Sequence, residues 1–253
     1  MIQTEEFKNQ TVLITGASAG IGAAAAHAFG SRGAHVMVHY NSRRKAAEQV
    51  VAGIVAAGGS GETVQADLSA HAGVRSLVAW LHGRRVDILI NNAGSLVRRT
   101  RVLEFTPELM EQVMWLNFTS AFFVAQAVLS GMVERQRGAI VNVSSVAARN
   151  GGGIGALAYA AAKAAMSAMT KNMAREFAAS GIRVNTVSPG TIDTDYHRNF
   201  STEQMLTNVK AATPMGRLGT SEEVADAIVY LCSEGARFIQ GQALEVNGGF
   251  LMV

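Results

Sequence analysis

The sequence has one cysteine and three prolines in 253 residues. The lone Cys232 excludes an intrachain disulfide and any zinc site built from several thiolates, and no metal site is expected. It shares an apolar helical pattern with Val224, Ile228 and Leu231, which suits a buried packing role. So few prolines permit long unbroken helices, while 26 glycines leave room for tight turns and close backbone approaches. Charged residues make up only 16% of the chain and aromatics 6%, against 49% hydrophobic. A chain this apolar can bury a sizeable core and is not of the disordered class. Net charge is only +3, and the basic residues fall into short clusters at Arg43–Lys45, Arg84–Arg85 and Arg98–Arg101. That is not the single stripe a nucleic-acid binder gathers, and stacking aromatics are few, so no nucleic-acid partner is expected. Residues Met1 to Gln10 are polar and acidic, unlike the basic start and apolar run of a secretory signal. Charges such as Lys163 interrupt the alanine-rich stretches, so no bilayer span and no membrane partner are expected. A cytoplasmic location follows as the expectation.

What is present is a rhythm. Short β-branched runs at Thr11–Thr15, Ala34–Tyr40, Glu62–Ala66, Val86–Asn91, Ala139–Ser144, Arg183–Ser188 and Ala243–Val246 read as strands. Several are apolar throughout, as parallel strands covered on both faces are. Between them, Gly22–Ser31, Ser42–Ala57, Gly73–His82, Pro107–Arg135, Ala158–Ser180 and Ser221–Ser233 suit helices. The alternation predicts an α/β fold, a Rossmann-type doubly wound parallel sheet of about seven strands with helices on both faces. No linker divides the chain, so residues 1–253 are expected to form one domain. The stretch at about 191–214 fits the rhythm least and is expected to be a substrate-binding loop or lid.

The segment Thr15-Gly16-Ala17-Ser18-Ala19-Gly20-Ile21-Gly22 follows the first strand and opens the first helix. Glycines there allow a tight turn and close approach to a pyrophosphate, whose charge a helix N-terminus stabilises. Gly16, Ser18, Ala19, Gly20, Ile21 and Gly22 are therefore candidate cofactor contacts. A dinucleotide site selective for NAD carries an acid at the end of the second strand. This strand ends His39-Tyr40-Asn41-Ser42-Arg43-Arg44 without one. Tyr40, Asn41, Ser42 and Arg43 are the candidate ribose-side residues, and Asn41, Ser42 and Arg43 suit a 2′-phosphate. NADP(H) is accordingly favoured over NAD(H). A solvated helix start with exposed arginines is the plainer alternative.

These features, with Asp67 after the third strand, Asn91-Asn92-Ala93-Gly94 after the fourth, Asn117, Ser145, Tyr159-Ala-Ala-Ala-Lys163 and Pro189-Gly190, resemble the short-chain dehydrogenase/reductase family in its single-domain form. The resemblance spans nearly the whole chain in the family's order. It implies Ser145, Tyr159, Lys163 and Asn117 as the catalytic set, with Asn117 holding a water that links Lys163 to solvent. It further implies that Asp67 and Leu68 contact adenine and that Asn91, Ala93 and Gly94 line the cofactor cleft. Pro189, Gly190, Ile192 and Thr194 would hold the nicotinamide end. Asp67 as a loop cap and Asn117 as a helix kink are the structural alternatives. The Ser145-to-Tyr159 interval is one residue longer than the common family spacing. Strict counting would place the serine at Val146, which cannot donate; Ser145 is preferred over Ser144 because it ends the strand.

The chemistry of the pair also follows from the residues themselves. Side chains four apart share a helix face, so Lys163 can bring its ammonium to the Tyr159 phenol. A nearby cation favours the phenolate, shifting a group of reference pKa about 10 toward useful proton exchange. A buried ring and a snorkelling lysine are the alternative for an isolated pair. Leu96, Val146, Leu157 and Tyr196, with Met205, Leu206 and Val209, are expected to line a largely apolar substrate pocket beside Ser145 and Tyr159. Such a pocket suits a ketone or 3-oxoacyl thioester, and within the family the nearest resemblance is to 3-oxoacyl-carrier-protein reductases. A sugar or polyol dehydrogenase and a non-catalytic NADPH-sensing protein are the competing readings. Arg98, Arg99, Arg101 and Arg137 would steer an acidic carrier or a CoA phosphate. The apolar tail Gly248–Val253 and the long helices resemble the family's assembly surfaces, so a homotetramer is expected.

Overall fold

The computed structural model describes residues 5–195 and 200–253. Seven parallel strands form one sheet in the order β3-β2-β1-β4-β5-β6-β7. They are β1 Thr11–Ile14, β2 His35–Tyr40, β3 Ser60–Gln65, β4 Ile88–Asn91, β5 Gly138–Val143, β6 Ile182–Pro189 and β7 Ala243–Val246. Helices cross between them: α1 Gly20–Gly30, α2 Arg44–Ala56, α3 His71–Leu81, α4 Pro107–Met114, α5 Ser120–Glu134, a short turn α6 Ala147–Asn150, α7 Leu157–Phe177, α8 Glu203–Ala212 and α9 Ser221–Cys232.

The period-two alternation of each strand divides the core into two layers. Val12 and Ile14 of β1, Val36 and Val38 of β2 and Ile88 and Ile90 of β4 pack under α1, α2 and α9, around Phe29, Ile54 and Ile228. Leu13, Met37, Leu89 and Ile140 point the other way, under α3, α5 and α7, against Leu77, Val124 and Met166. With both faces covered, a polar side chain in β1, β4 or β5 needs an internal partner. Cys232 is buried in the first layer, and burial pushes its thiol up to about 12, so it packs and does not react.

Strand positions agree with expectation to within two residues at each end. Two elements were not anticipated. The presumed lid carries the helix α8, which Thr202 caps by accepting from the Met205 N–H at 3.2 Å. The loop after β5 carries α6, closed by Gly151 in the left-handed region at φ 82°. That closed turn lies between Ser145 and Tyr159, in the interval that is one residue longer than the common spacing. The expected helix over Pro107–Arg135 is continuous but winds through a π turn at Trp115–Thr119. Contrary to the expectation that no segment could span a bilayer, Pro107–Glu134 is long and apolar enough to do so by length and composition. Its buried side chains Val124, Val128, Leu129 and Met132 pack against the sheet, as a core helix does.

The sheet order reverses between β1 and β4, where successive crossovers leave in opposite directions. A crevice necessarily opens there, at the carboxyl ends of the strands, and the glycine turn after β1 packs against the Asn92–Gly94 loop after β4 at its wall.

Candidate active site

A cavity of about 700 Å³ occupies this crevice. At one end it is walled by Gly16, Ser18, Ala19, Gly20 and Ile21, then by Asn41, Ser42 and Arg43 and by Asp67 and Leu68. Its other end reaches Ala93, Gly94, Ser145, Val146, Tyr159, Lys163, Pro189, Gly190, Ile192 and Thr194. Residues from every motif except Asn117 thus meet in one space.

The glycine turn fits a diphosphate on structural grounds. Ala19, the N-cap of α1, is extended and has no side-chain capping bond, and the first turn carries no acid. With Ala19, Gly20 and Ile21 lining the cleft, the positive end of the helix dipole lies at its wall, uncapped by any side chain. Gly22 is required by packing. A Cβ there would lie 2.5 Å from Gly16 O and 2.6 Å from Asn92 Nδ2. Gly22 thus supports the turn from behind and does not wall the cavity.

Lys163 is 1% exposed and donates from Nζ to Val143 O at 2.7 Å. Burial lowers its ammonium to about 8. The same Nζ stands 5.7 Å from the centroid of the Tyr159 ring. A Cβ at Gly94 would meet Asn117 Oδ1 at 2.7 Å and Lys163 Nζ at 3.2 Å, so the glycine after β4 is what admits the lysine to the crevice. Ser145 Oγ accepts from Ala147 N–H at 3.1 Å. Ser144, by contrast, is buried and donates from Oγ to Lys163 O at 2.9 Å. Its hydroxyl ties β5 to α7, while both serines line the cavity.

Several expected contacts are corrected by the geometry. Asn91 does not line the cleft: it is buried and donates from Nδ2 to Asn142 Oδ1 at 2.9 Å, in a polar chain that continues to Thr170 and Thr186. Its neighbour Asn92 takes the cleft position, donating to Thr15 O and Gly16 O, because adjacent strand residues face opposite sides. Tyr40 is buried beneath α2 for the same reason. Leu157 is exposed at the start of α7 and does not wall the cavity. Asn117 lies in the π turn with its side chain committed, donating to Ser95 O and Val113 O and accepting from Ser95 N–H. Its amide group therefore pins the π turn to the Ser95 backbone. Asp67 Oδ1 accepts from the amide and hydroxyl of Ser69, so it caps its loop while still lining the cavity. Arg137 is at the opposite end of the sheet, just before β5 and 3.7 Å from Glu234, and cannot act with Arg99. Tyr196 lies outside the described residues.

Some lining residues had no marker in the sequence. Phe200, Phe250 and His39 reach the cavity, as does Arg99, which was expected only as a steering charge. Arg99 donates to Phe200 O and, at 2.9 Å, to Ile154 O, joining the loop after β4 to the segment after β6 and to the loop before α7. Met205, Leu206 and Val209 of α8 complete an apolar wall with Leu96 and Val146.

A parallel sheet with its crevice at the β1–β4 reversal, a glycine turn on an uncapped helix and a tyrosine–lysine pair on one helix face define a dinucleotide-dependent oxidoreductase. The family model described as enoyl-(acyl carrier protein) reductase matches residues 16–251. The chain belongs to the short-chain dehydrogenase/reductase family, whose members act on CH–OH or ketone groups with NAD(P). It is 36% identical over 249 residues to the 3-oxoacyl-[acyl-carrier-protein] reductase of Escherichia coli (strain K12), covering 98% of this chain and 99% of that one. Among solved structures it resembles an angucycline C-6 ketoreductase with bound NADP, at TM-score 0.88, 32% identity and 97% coverage of both chains. It equally resembles a 3-oxoacyl-[acyl-carrier protein] reductase with bound NAD from Brucella melitensis, at TM-score 0.88 and 35% identity, covering 99% of this chain and 94% of that one.

Proposed function

We propose that this protein is an NADP(H)-dependent reductase of 3-oxoacyl thioesters or related ketones. The observation that carries the reading is that Tyr159, Lys163 and Ser145 line the same cavity as the glycine turn. Bound nicotinamide would supply the hydride to the substrate carbon, or take it in the reverse direction. Proton handling belongs to this chain. Tyr159 gives its phenolic proton to the carbonyl oxygen as charge develops there, and the Lys163 ammonium stabilises the phenolate left behind. The Ala147 N–H holds Ser145 Oγ through a lone pair, leaving the hydroxyl proton to stabilise the same oxygen. Asn117 supports this set by fixing the Ser95 backbone beside Lys163.

Two observations support the finer assignment. Asn41, Ser42 and Arg43 occupy the ribose end of the cavity with no acid among them, which suits a 2′-phosphate. The wall of Leu96, Val146, Met205, Leu206 and Val209 is apolar, which suits an acyl chain better than a polyol. We further infer that the whole chain acts as one domain, with the 191–214 stretch closing over the substrate, and that it works as a homotetramer.

The test is a substrate panel of acetoacetyl-CoA, simple ketones and sugars, followed by NADPH and NADH oxidation, or by reduction of the oxidised cofactor. Reduction of the thioester with preference for NADPH is expected. Turnover of sugars alone would overturn the substrate assignment. Tyr159→Phe should keep cofactor affinity and lose about 10²–10⁴-fold in turnover; retained turnover would overturn the mechanism.

A further inference from the structure

His39 is the penultimate residue of β2, 2% exposed, and lines the cavity directly behind the glycine turn. Its two ring nitrogens are both engaged. Nδ1 accepts from the Gly16 N–H at 3.0 Å, and Nε2 lies 3.0 Å from Ala66 O. Since an amide can only donate and a carbonyl only accept, the ring proton resides on Nε2 and the Nδ1 lone pair faces the turn. Burial pushes the imidazole down to about 4, so this neutral tautomer is the form present at neutral pH. Asp67, just past Ala66, is the charged group acting on it among the described residues.

The turn that His39 grips is held from two sides. Asn92 Nδ2 donates to Thr15 O at 2.9 Å and Gly16 O at 3.1 Å, so one side chain takes the carbonyls. On the other side, the Gly16 amide goes to the His39 ring and the Ala17 amide goes to His39 O at 2.8 Å. Gly16 itself is in the left-handed region at φ 66°, a conformation that leaves its amide pointing back into the sheet. The Gly16 and Ala17 amides are thus both taken by one residue of β2. The start of α1, uncapped by any side chain, lines the cleft at Ala19, Gly20 and Ile21.

We propose that His39 is a positioning residue for the cofactor's pyrophosphate: its Nδ1 lone pair holds Gly16 N–H and thereby keeps the Thr15–Gly22 turn shaped for the anion. This rests on the reading of the cleft as a nicotinamide dinucleotide site. His39 touches neither reacting atoms nor the catalytic tyrosine in this role; it acts through the turn. No spacing rule marks it, because the residue preceding Tyr40 in an apolar strand reads as core.

Two near-isosteric variants separate the ring's two contacts. In His39→Asn the side-chain oxygen falls near the Nδ1 position and keeps an acceptor for Gly16 N–H, while Ala66 O is out of reach. In His39→Gln the amide reaches the Nε2 position, can still donate to Ala66 O, and offers no acceptor to Gly16. The cofactor KM and Kd, kcat, melting temperature, and hydrogen exchange of the peptide covering residues 15–22 in the ligand-free protein are measured for both. The expected result is a loss of cofactor affinity of at least 10-fold in His39→Gln, with kcat at saturating cofactor within 3-fold of wild type. Exchange in the turn should be faster as well. In His39→Asn, affinity and exchange should stay within 3-fold of wild type. Should His39→Gln fail to fold, His39→Asn decides alone: a 10-fold loss of affinity at an unchanged melting temperature overturns the proposal. Equal affinity and equal turn exchange in a folded His39→Gln overturns it too. Failure of the wild-type protein to bind either dinucleotide would refute the cofactor reading, and the proposal built on it. The exchange measurement would still show separately whether His39 holds the turn.

Discussion

Arg43 Nη1 lies 2.8 Å from Asp195 Oδ2, joining the end of β2 to the segment that follows β6 across the mouth of the cofactor cleft. Both side chains are about half exposed, so the pair contributes well under about 1 kcal/mol to stability. Its interest is chemical. A 2′-phosphate at the Asn41–Arg43 end would compete with Asp195 for the same guanidinium, and a dianion that accepts two N–H bonds is the stronger partner. Arg43→Ala is expected to raise the KM for NADPH about 10–100-fold, from the loss of about 1.5–3 kcal/mol in charge-assisted hydrogen bonding. The KM for NADH should change less than about 3-fold on the same reasoning. Steady-state kinetics with both cofactors measures the difference; equal effects would remove Arg43 as the selectivity residue.

The lowered value of Lys163, about 8, sets a pH window through its burial. Carbonyl reduction needs the charged ammonium, so kcat/KM should be flat below pH 8 and fall as pH rises through it. Stability should move the other way. The unfolded chain holds the lysine proton up to about 10.5 while the folded protein releases it near 8, so between those values the unfolded state binds more protons. Unfolding free energy from this group therefore increases from pH 8 toward 10.5. Kinetics and thermal melts over pH 7–10 check both signs. An activity rising across that range would contradict the role given to the ammonium.

The two serines at the end of β5 should separate cleanly. Ser145→Ala is expected to lower kcat about 10²–10³-fold, the usual cost of a lost oxyanion donor, with little change in melting temperature. Ser144 ties β5 to α7 through the Lys163 carbonyl. Its alanine variant leaves that buried contact unmade, so it should destabilise by about 1–3 kcal/mol and lower the melting temperature. Denaturant midpoints and kcat for both variants decide the matter. A catalytic collapse in Ser144→Ala alone would reverse the assignment.

Gly22→Ala tests the turn from behind. The added Cβ meets the Gly16 carbonyl and the Asn92 amide well inside contact distance, so the turn must shift. A loss of about 1–3 kcal/mol in stability is expected, together with weaker cofactor binding. Unchanged dinucleotide affinity by fluorescence titration would mean that the turn does not shape the site.

Much of the architecture was legible in the chain because it depends on local periodicity. The all-apolar runs of β1, β4 and β5 announce strands covered on both faces. Helix-period stretches such as Ser221–Cys232 announce α9 and the burial of Cys232. The glycine turn and the Tyr159–Lys163 spacing were likewise readable, since each is a short-range pattern with a direct geometric consequence. Helix α8 was missed for a related reason: its moderate amphipathicity sits among residues that suit a loop, and it lines the cavity instead of joining the main core.

The sequence alone determined which chemistry was on hand: a phenol one helical turn from an amine, a serine at a strand end, a glycine turn opening a helix. Only the tertiary structure decided which of two neighbouring asparagines reaches the cleft: Asn92 over Asn91. It also decided that Asn117 spends its amide on Ser95 and Val113 and that Gly94 opens space for Lys163. The physical reason is that composition and spacing specify one-dimensional periods. Facing, burial and hydrogen-bond saturation depend on what distant segments bring alongside, as β2 brings His39 to Gly16 and the lid brings Asp195 to Arg43.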